Sequence, residues 1–286
     1  MIGVICDSGA DLPQEIYENS KVKVVPLKVV LGEKVYKDGI EISEDEVLEF
    51  MEKGFPKTSL PTKDEVTKAL EEMVNEGYNG IIGVNISSAL SGTHNIFRMA
   101  FEEFAKAHEN VKIGVVDSLN ISMGTGFLVY RALLSIDEGK NFEETLKDVK
   151  DAVKKSKLFY TIPTLKFLKA GGRIGKVSAT MGEILNLKPV ISVDDNGVYY
   201  TVAKARGMER AVGKMITDVK KFTDGKEVLA ISFHRSGNDE KTLKLVERMK
   251  EELKHLKVRK IFTKRTTPVL LVHVGRGLVG VGVLTK

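Results

Sequence analysis

The segment that decides the fold reads Gly80-Ile81-Ile82-Gly83-Val84-Asn85-Ile86-Ser87-Ser88-Ala89-Leu90-Ser91-Gly92-Thr93. Its first half is a short apolar run that predicts a buried strand over Gly80–Ile86, and its second half is a polar loop over Ser87–Thr93. Apolar residues then recur at helical spacing, which predicts a helix directly after the loop. The residues expected on its buried face are Ile96, Phe97, Ala100, Phe101 and Phe104. A strand, a polar loop and a helix in this order are typical of an α/β sheet.

The same alternation continues on both sides of this segment. Helices are predicted to begin after Ser43 and Thr62, because a Glu three residues after each completes a capping box. Because strands alternate with helices, the N-terminal part is predicted to form a mainly parallel sheet with helices on both faces. The other predicted strands of this part are Met1–Cys6, Lys23–Val30 and Val111–Val116, and the other predicted helices are Phe127–Ile136 and Phe142–Lys155.

Polar residues follow three of these predicted strands. They are Asp7-Ser8, the loop Ser87–Thr93 and Asp117-Ser118. Ligands of parallel α/β sheets bind beyond the carboxyl ends of the strands, so these clusters are the first places to look for a site.

The second half of the chain has a different pattern. Asp194-Asp195-Asn196-Gly197 lies between two β-rich runs, Lys188–Val193 and Val198–Val202, and Asn-Gly in this setting predicts a hairpin. Helices and strands then alternate, so a second α/β domain with a mixed sheet is expected. Its further predicted elements are helices at Met208–Phe222, Asp239–Leu253 and Pro268–Val274 and strands at Val228–Phe233, Val258–Thr263 and Leu278–Leu284. We place the domains at residues 1–158 and 159–286.

Composition narrows the class of protein. The 286 residues carry a net charge of +5, but Lys and Arg alternate with Glu and Asp along the predicted helices and Trp is absent. A nucleic-acid surface would cluster its basic residues, so no nucleic-acid partner is expected. The single cysteine, Cys6, favours a reducing compartment, and the first strand is too short for a signal core. No apolar run approaches the roughly 20 residues that span a bilayer. These features predict a cytoplasmic protein that is not embedded in a membrane.

Two hydroxyl-rich loops are candidate anion sites. Thr58 and Ser59 precede the helix cap at Thr62, and the cap does not need them. Their hydroxyls, together with nearby helix amides, could bind an anion. A plain turn explains the two residues equally well. Ser88, Ser91 and Gly92 stand in the strand–helix loop, where neutral donors and the helix dipole suit a carboxylate or phosphate. The glycine spacing excludes a P-loop, and no nucleophile elbow is present. The alternative for this loop is a polar connection without function.

Two basic residues are further candidates. Arg173 stands among the glycines of Gly171–Gly175, where a guanidinium suits a carboxylate or phosphate, although those glycines also fit an ordinary turn. His273 lies in an apolar run, and such a histidine is more often a buried core residue than a ligand. The five histidines are scattered and show no metal-binding spacing, so no metal site is predicted.

Six segments in this order resemble the DegV family, and the resemblance covers essentially the whole chain. They are Cys6–Pro13, Thr58–Pro61, Ser87–Thr93, Gly171–Ile174, Lys188–Val190 and His273–Gly275. The resemblance implies two α/β domains with a long-chain, palmitate-like fatty acid in a buried tunnel between them. The family's carboxylate-binding residues map to Thr58 and Ser91, and its Arg and His near the site map to Arg173 and His273. Ser59, Ser88 and Gly92 complete the expected ligand-binding set.

The resemblance also implies how such a protein works. It is similar to the binding subunit of bacterial fatty acid kinase, which presents the carboxylate to a separate ATP-using subunit that makes an acyl phosphate. The chain is then a carrier with a bound ligand, transient membrane contact, no cofactor and no catalytic residue of its own. The alternatives are a phosphotransferase or hydrolase that uses the anion site on a small anionic substrate, and a DNA-associated regulator that uses the positive charge.

Overall fold

The computed structural model describes residues 1–180 and 186–286. The strands are β1 (Ile2–Asp7), β2 (Val22–Val25), β3 (Lys28–Leu31), β4 (Lys34–Lys37), β5 (Lys57–Ser59), β6 (Gly80–Asn85), β7 (Lys112–Asp117), β8 (Ser156–Thr161), β9 (Leu187–Val193), β10 (Tyr199–Arg206), β11 (Val228–Arg235), β12 (Val258–Arg265) and β13 (Val279–Thr285). The helices are α1 (Gln14–Tyr17), α2 (Glu44–Lys53), α3 (Lys63–Asn75), α4 (Thr93–Ala107), α5 (Met123–Asp137), α6 (Phe142–Ala152), α7 (Lys166–Ala170), α8 (Met208–Thr223), α9 (Glu240–Leu253) and α10 (Pro268–Val274). Short 3₁₀ turns cover Ser8–Ala10 and Gly175–Thr180.

The N-terminal domain is built on a parallel sheet of order β2-β1-β6-β7. One face packs against α3 and α4, and the other packs against α5 and α6, as the sequence predicts. Both predicted capping boxes are present. The side chains of Ser43 and Thr62 accept from the amides of Glu46 and Glu65, whose carboxylates in turn accept from the amides of Ser43 and Thr62. Each box satisfies two backbone donors that the helix itself leaves unpaired.

The prediction of one strand over Lys23–Val30 is wrong. Pro26 separates β2, which pairs with β1, from β3, which belongs to another sheet. Proline cannot donate a ladder hydrogen bond, so the chain changes sheets at this residue. The strand β3 then pairs antiparallel with β4 and with β5 in a small sheet of order β4-β3-β5.

The C-terminal domain contains a mixed sheet of order β10-β9-β8-β13-β11-β12. The predicted hairpin joins β9 to β10, and Gly197 at its turn has a positive φ of 75°. Helices α8 and α9 pack on the outer face. On the inner face, Phe127 of α5 lies against Gly282, where a Cβ would come within 3.0 Å of its ring. Helix α5 is therefore a layer shared by the two domains.

The central strand β8 starts only four residues after α6 ends at Ala152. It pairs with β13 on one side and β9 on the other, so it belongs to the C-terminal sheet. The boundary predicted between residues 158 and 159 lies inside this strand. The two-domain architecture stands, while the dividing residue remains a prediction.

Candidate functional site

A cavity of about 290 Å³ lies between the two domains. Its floor is the inner face of the C-terminal sheet, and its walls are the loops after β6 and β7, the strand β5 and the helix α10. The wall is mostly apolar. The aliphatic residues that line it are Leu27, Leu60, Ile86, Leu90, Ile121, Leu158, Val269, Leu270, Val274 and Leu278.

Thr58 reaches the cavity because residues 57–59 form a strand. The sequence suggests a loop here, and that prediction is wrong: the segment pairs with β3, with Thr58 opposite Val29. Alternate strand residues face opposite sides, so Lys57 and Ser59 are exposed while Thr58 is half-buried. Its Oγ1 lies 3.1 Å from Nε2 of His273. Ser59 also lines the cavity, at its exposed rim.

Ser91 and Gly92 bring the loop after β6 to the same cavity. The Ser91 Oγ lies 2.8 Å from Oγ1 of Thr93 and accepts from the Thr93 amide at 3.3 Å, at the start of α4. A Cβ on Gly92 would lie 3.1 Å from Leu60, so glycine allows the two loops to approach closely. Ser88 is different: it is exposed, lies outside the cavity wall, and its amide donates to Asp117.

The other two polar clusters at the strand ends support this loop without lining the cavity. Buried Asp7 accepts from the amides of Gly9 and Ile86, each at 3.0 Å, and burial raises its pKa to about 6. Asp117 accepts from the amide of Leu119 at 2.9 Å as well as from that of Ser88. Of the three clusters that the sequence singles out, the loop after β6 alone contributes to the described cavity wall.

Helix α10 carries His273 into the site. Its N-terminus is fixed by the buried Asp38, which accepts from the Thr267 hydroxyl at 2.9 Å and from the Val269 amide at 2.8 Å. Burial raises the pKa of Asp38 to about 6. A carboxylate at a helix N-terminus pairs with otherwise unpaired amides, so this contact sets the position of the whole helix.

Arg173 lies beside His273 in the cavity wall. Its Nη1 donates to the carbonyl of Gly171 at 2.6 Å, and its Nε donates to that of Leu90 at 3.4 Å. Within residues 1–180 and 186–286, it forms no ion pair with a carboxylate. The cavity therefore has a guanidinium whose charge is not neutralised by a described acidic side chain.

The imidazole of His273 is held neutral. Burial, and next the charge of Arg173, lower its pKa to about 4. Its Nδ1 is buried without a hydrogen-bond partner in the described structure, and a Cβ on Gly171 would clash with it. A neutral histidine beside a threonine hydroxyl supplies hydrogen bonds to an anion without a fixed ion pair.

The depressed pKa of His273 predicts a pH-dependent stability. Below pH 6.5 the unfolded chain takes up a proton at this residue while the folded chain does not, so folding loses stability as pH falls. We expect ligand-free protein to lose roughly 1–2 kcal/mol between pH 7 and pH 5 through this residue. Urea unfolding of His273→Gln at both pH values should show that much less loss than wild type.

The control for this experiment is His255→Gln, because His255 is exposed. It should keep the wild-type pH dependence. Equal slopes for wild type and His273→Gln would contradict the neutral state of His273 in the folded protein.

Charged and polar residues also meet at another part of the cavity. Asp11 is buried at a positive φ of 55° and pairs with Lys264 at 2.6 Å. Its Oδ2 accepts from the Ser122 hydroxyl at 2.6 Å and lies 3.6 Å from Nδ1 of His234. Burial alone would raise the pKa of Asp11, but Lys264 and His234 hold it well below its usual range. Ser122 and His234 line the cavity.

Sequence reasoning missed these residues for understandable reasons. Asp11 stands in a quoted motif but has no local partner, since Lys264 and His234 are distant in sequence. The rings of Tyr160 and Tyr199 meet at 5.8 Å under the cavity. Tyr199 lies in a predicted strand, whereas Tyr160 lies in β8, a strand that the sequence analysis does not predict. A histidine at the carboxyl end of the apolar β11 is the one available signal for His234.

No helix in the described ranges has the length and hydropathy to cross a membrane. In the same ranges, no cluster of three or more His, Cys, Asp or Glu residues is arranged to hold a metal ion.

Comparison with known proteins identifies relatives along the whole chain. The family model described as "Uncharacterised protein, DegV family" matches residues 1–286. A DegV domain-containing protein of Clostridium acetobutylicum is 35% identical over 286 residues, which are 100% of this chain and 99% of that protein.

Solved structures share the fold over the same extent. A Thermus thermophilus DegV family protein, reported for fatty acid binding, has a TM-score of 0.90 at 30% identity and covers 100% of this chain and 99% of its own. A stearic acid-binding protein from Eubacterium ventriosum has a TM-score of 0.88 at 26% identity and covers 100% of this chain and 99% of its own. The fatty acid kinase (Fak) B3 protein of Streptococcus pneumoniae, loaded with linoleic acid, has a TM-score of 0.84 at 25% identity. The match covers 100% of both chains. Since the family model spans every residue, this protein belongs to the DegV family.

Proposed function

We propose that this protein binds one long-chain fatty acid in the cavity between its domains and presents the carboxylate to a separate kinase subunit. The observation that carries the proposal is a mostly apolar cavity with hydroxyl, imidazole and guanidinium groups gathered at one end. Thr58, Ser91, Arg173 and His273 contribute to that end, and aliphatic side chains line most of the rest. A fatty acid has the same division between one anionic head and a long apolar tail.

The tail supplies the free energy of binding. Burying a chain of roughly 16 carbons, at about 0.8 kcal/mol for each CH₂, gives on the order of 10 kcal/mol before entropy losses. A buried carboxylate without partners would cancel much of this gain. The hydroxyls of Thr58 and Ser91 supply the head-group hydrogen bonds in this proposal, and Arg173 supplies a positive potential nearby.

The location of the polar end supports presentation to a partner. Ser59 and Gly92 are exposed, and Leu60 keeps 36% of its surface accessible, so the carboxylate end opens toward solvent. A carboxylate held by neutral hydroxyls keeps a reactive oxygen, whereas a bidentate Arg–carboxylate pair would engage both oxygens. The relatives from Thermus thermophilus, Eubacterium ventriosum and Streptococcus pneumoniae, all reported with or for fatty acids, support the same ligand class. The pneumococcal relative also supports a kinase partner.

Native mass spectrometry of the purified protein tests the ligand directly. We expect one bound mass in the range of a long-chain fatty acid, and denaturation should release that acid for identification. Added palmitate should restore the bound species in protein stripped of lipid. A purified protein that carries no lipid and takes up no palmitate would contradict the proposal and favour the phosphate-site enzyme instead.

A further inference from the structure

The two ends of the cavity lie on different parts of the C-terminal sheet. At one end, the loop that carries Arg173 packs closely on β10. A Cβ on Gly175 in this loop would come within 2.9 Å of the Tyr199 carbonyl. At the other end stands His234 on β11. The sheet order places β9, β8 and β13 between β10 and β11. Four inter-strand steps of about 4.8 Å separate these strands by roughly 19 Å.

The floor between the two ends is continuous. Tyr160 on β8 pairs with Gly280 on β13, and Gly280 pairs with His234 on β11. All three residues line the cavity. Because Gly280 has no side chain, the floor stays open between the tyrosine ring and the imidazole. A Cβ at this position would lie 3.1 Å from the Cβ of Tyr160. The floor thus offers an open path across the strands from the Arg173 end to His234.

The His234 end is polar, which does not suit a plain methyl terminus. His234 is 2% exposed, and within the described ranges its Nδ1 has no partner at hydrogen-bond distance, since Oδ2 of Asp11 lies 3.6 Å away. Its Nε2 is already engaged with the Ser232 hydroxyl at 2.7 Å. Ser122 and the buried Thr266 line the cavity as well. A buried polar atom without a partner is unfavourable, and a methyl group opposite Nδ1 would leave it so.

We propose that this end is a second polar subsite, which takes a neutral hydroxyl at or near the ω end of an oxygenated fatty acid. This inference rests on the proposed function and names its ligand class more narrowly. The hydroxyl would bond to Nδ1 of His234, with Ser122 and Thr266 beside it. A second carboxylate is disfavoured, because it would lie next to the ionised Asp11, whose charge Lys264 already balances.

Three acids of equal length test the subsite by isothermal titration of lipid-free protein: hexadecanoate, 16-hydroxyhexadecanoate and hexadecanedioate. We expect the hydroxy acid to bind about tenfold more tightly than hexadecanoate and the diacid to bind most weakly. A wild-type protein that binds hexadecanoate as tightly as the hydroxy acid, or more tightly, overturns the subsite. Failure of all three acids to bind would instead overturn the fatty acid proposal itself.

Variants assign the preference to this end of the cavity. His234→Leu should bring the Kd values of 16-hydroxyhexadecanoate and hexadecanoate together, and Thr266→Val, a milder change at the same end, should narrow the difference between them. His255→Leu, at an exposed histidine away from the cavity, should keep the wild-type ranking. A preference that survives both His234→Leu and Thr266→Val would place the hydroxyl elsewhere and contradict the assignment.

Discussion

Replacing Thr58 by valine and Ser91 by alanine in one chain should weaken palmitate binding by at least about 100-fold. Each hydroxyl is expected to donate to a charged carboxylate, and a hydrogen bond of that kind contributes about 1.5–3 kcal/mol. Two such losses correspond to at least two powers of ten in Kd. Valine preserves the β-branched shape that β5 needs, so the strand pairing with β3 stays intact. Isothermal titration of lipid-free protein measures the change.

The chain offers matched controls for this experiment. Ser88→Ala removes a hydroxyl from the same loop, but Ser88 is exposed and outside the cavity wall, so its Kd should equal that of wild type. Thr58→Ser and Ser91→Thr keep the hydroxyls and should stay within a few-fold of wild type. A double variant that still binds palmitate at wild-type strength would refute the head-group assignment while it leaves the ligand class open.

Replacing Asp11 by alanine should destabilise the protein more than any other polar substitution proposed here. Asp11 is buried, pairs with Lys264 and accepts from Ser122 and from the Thr267 amide. Removing it leaves the charge of Lys264 largely buried without its partner, which costs about 3–5 kcal/mol. For a chain of this size, the melting temperature should fall by on the order of 10 °C.

Guanidinium unfolding of lipid-free protein gives the free energy for Asp11→Ala and for two comparison variants. Asp11→Asn keeps an acceptor for Ser122 at a left-handed position that asparagine tolerates, so it should lie between wild type and Asp11→Ala. Asp45→Ala breaks an exposed pair with Arg265 and should cost less than about 1 kcal/mol. A loss below 1 kcal/mol for Asp11→Ala would show that the buried pair contributes little.

Most of the fold could be predicted because its signals are local. The capping boxes at Ser43 and Thr62 and the Asn196-Gly197 turn each depend on residues within a few positions of one another. Strand β5 was missed because its three residues become a strand only through pairing with β3. The division of Lys23–Val30 depends on which sheet each half joins, and that choice is set by tertiary contacts.

The candidate site was predictable where a family motif carried it. The structure brings Thr58, Ser91, Arg173 and His273 to one cavity, although Thr58 and His273 are 215 positions apart. Spacing alone left each of them with a structural alternative. The His234 end has no motif, because the Asp11, Ser122 and Lys264 side chains that meet there come from separate elements. Only the assembled sheet makes them neighbours.

The spacing of residues across the cavity floor is fixed by the sheet. Tyr160, Gly280 and His234 lie on adjacent hydrogen-bonded strands, so backbone hydrogen bonding sets their separation and side-chain packing does not. A substitution at one of these positions changes the depth of the cavity there and leaves the spacing between the positions unchanged. Under the proposed function, a single side-chain exchange in the floor would therefore change which acyl chain fits, while the sheet beneath it stays the same.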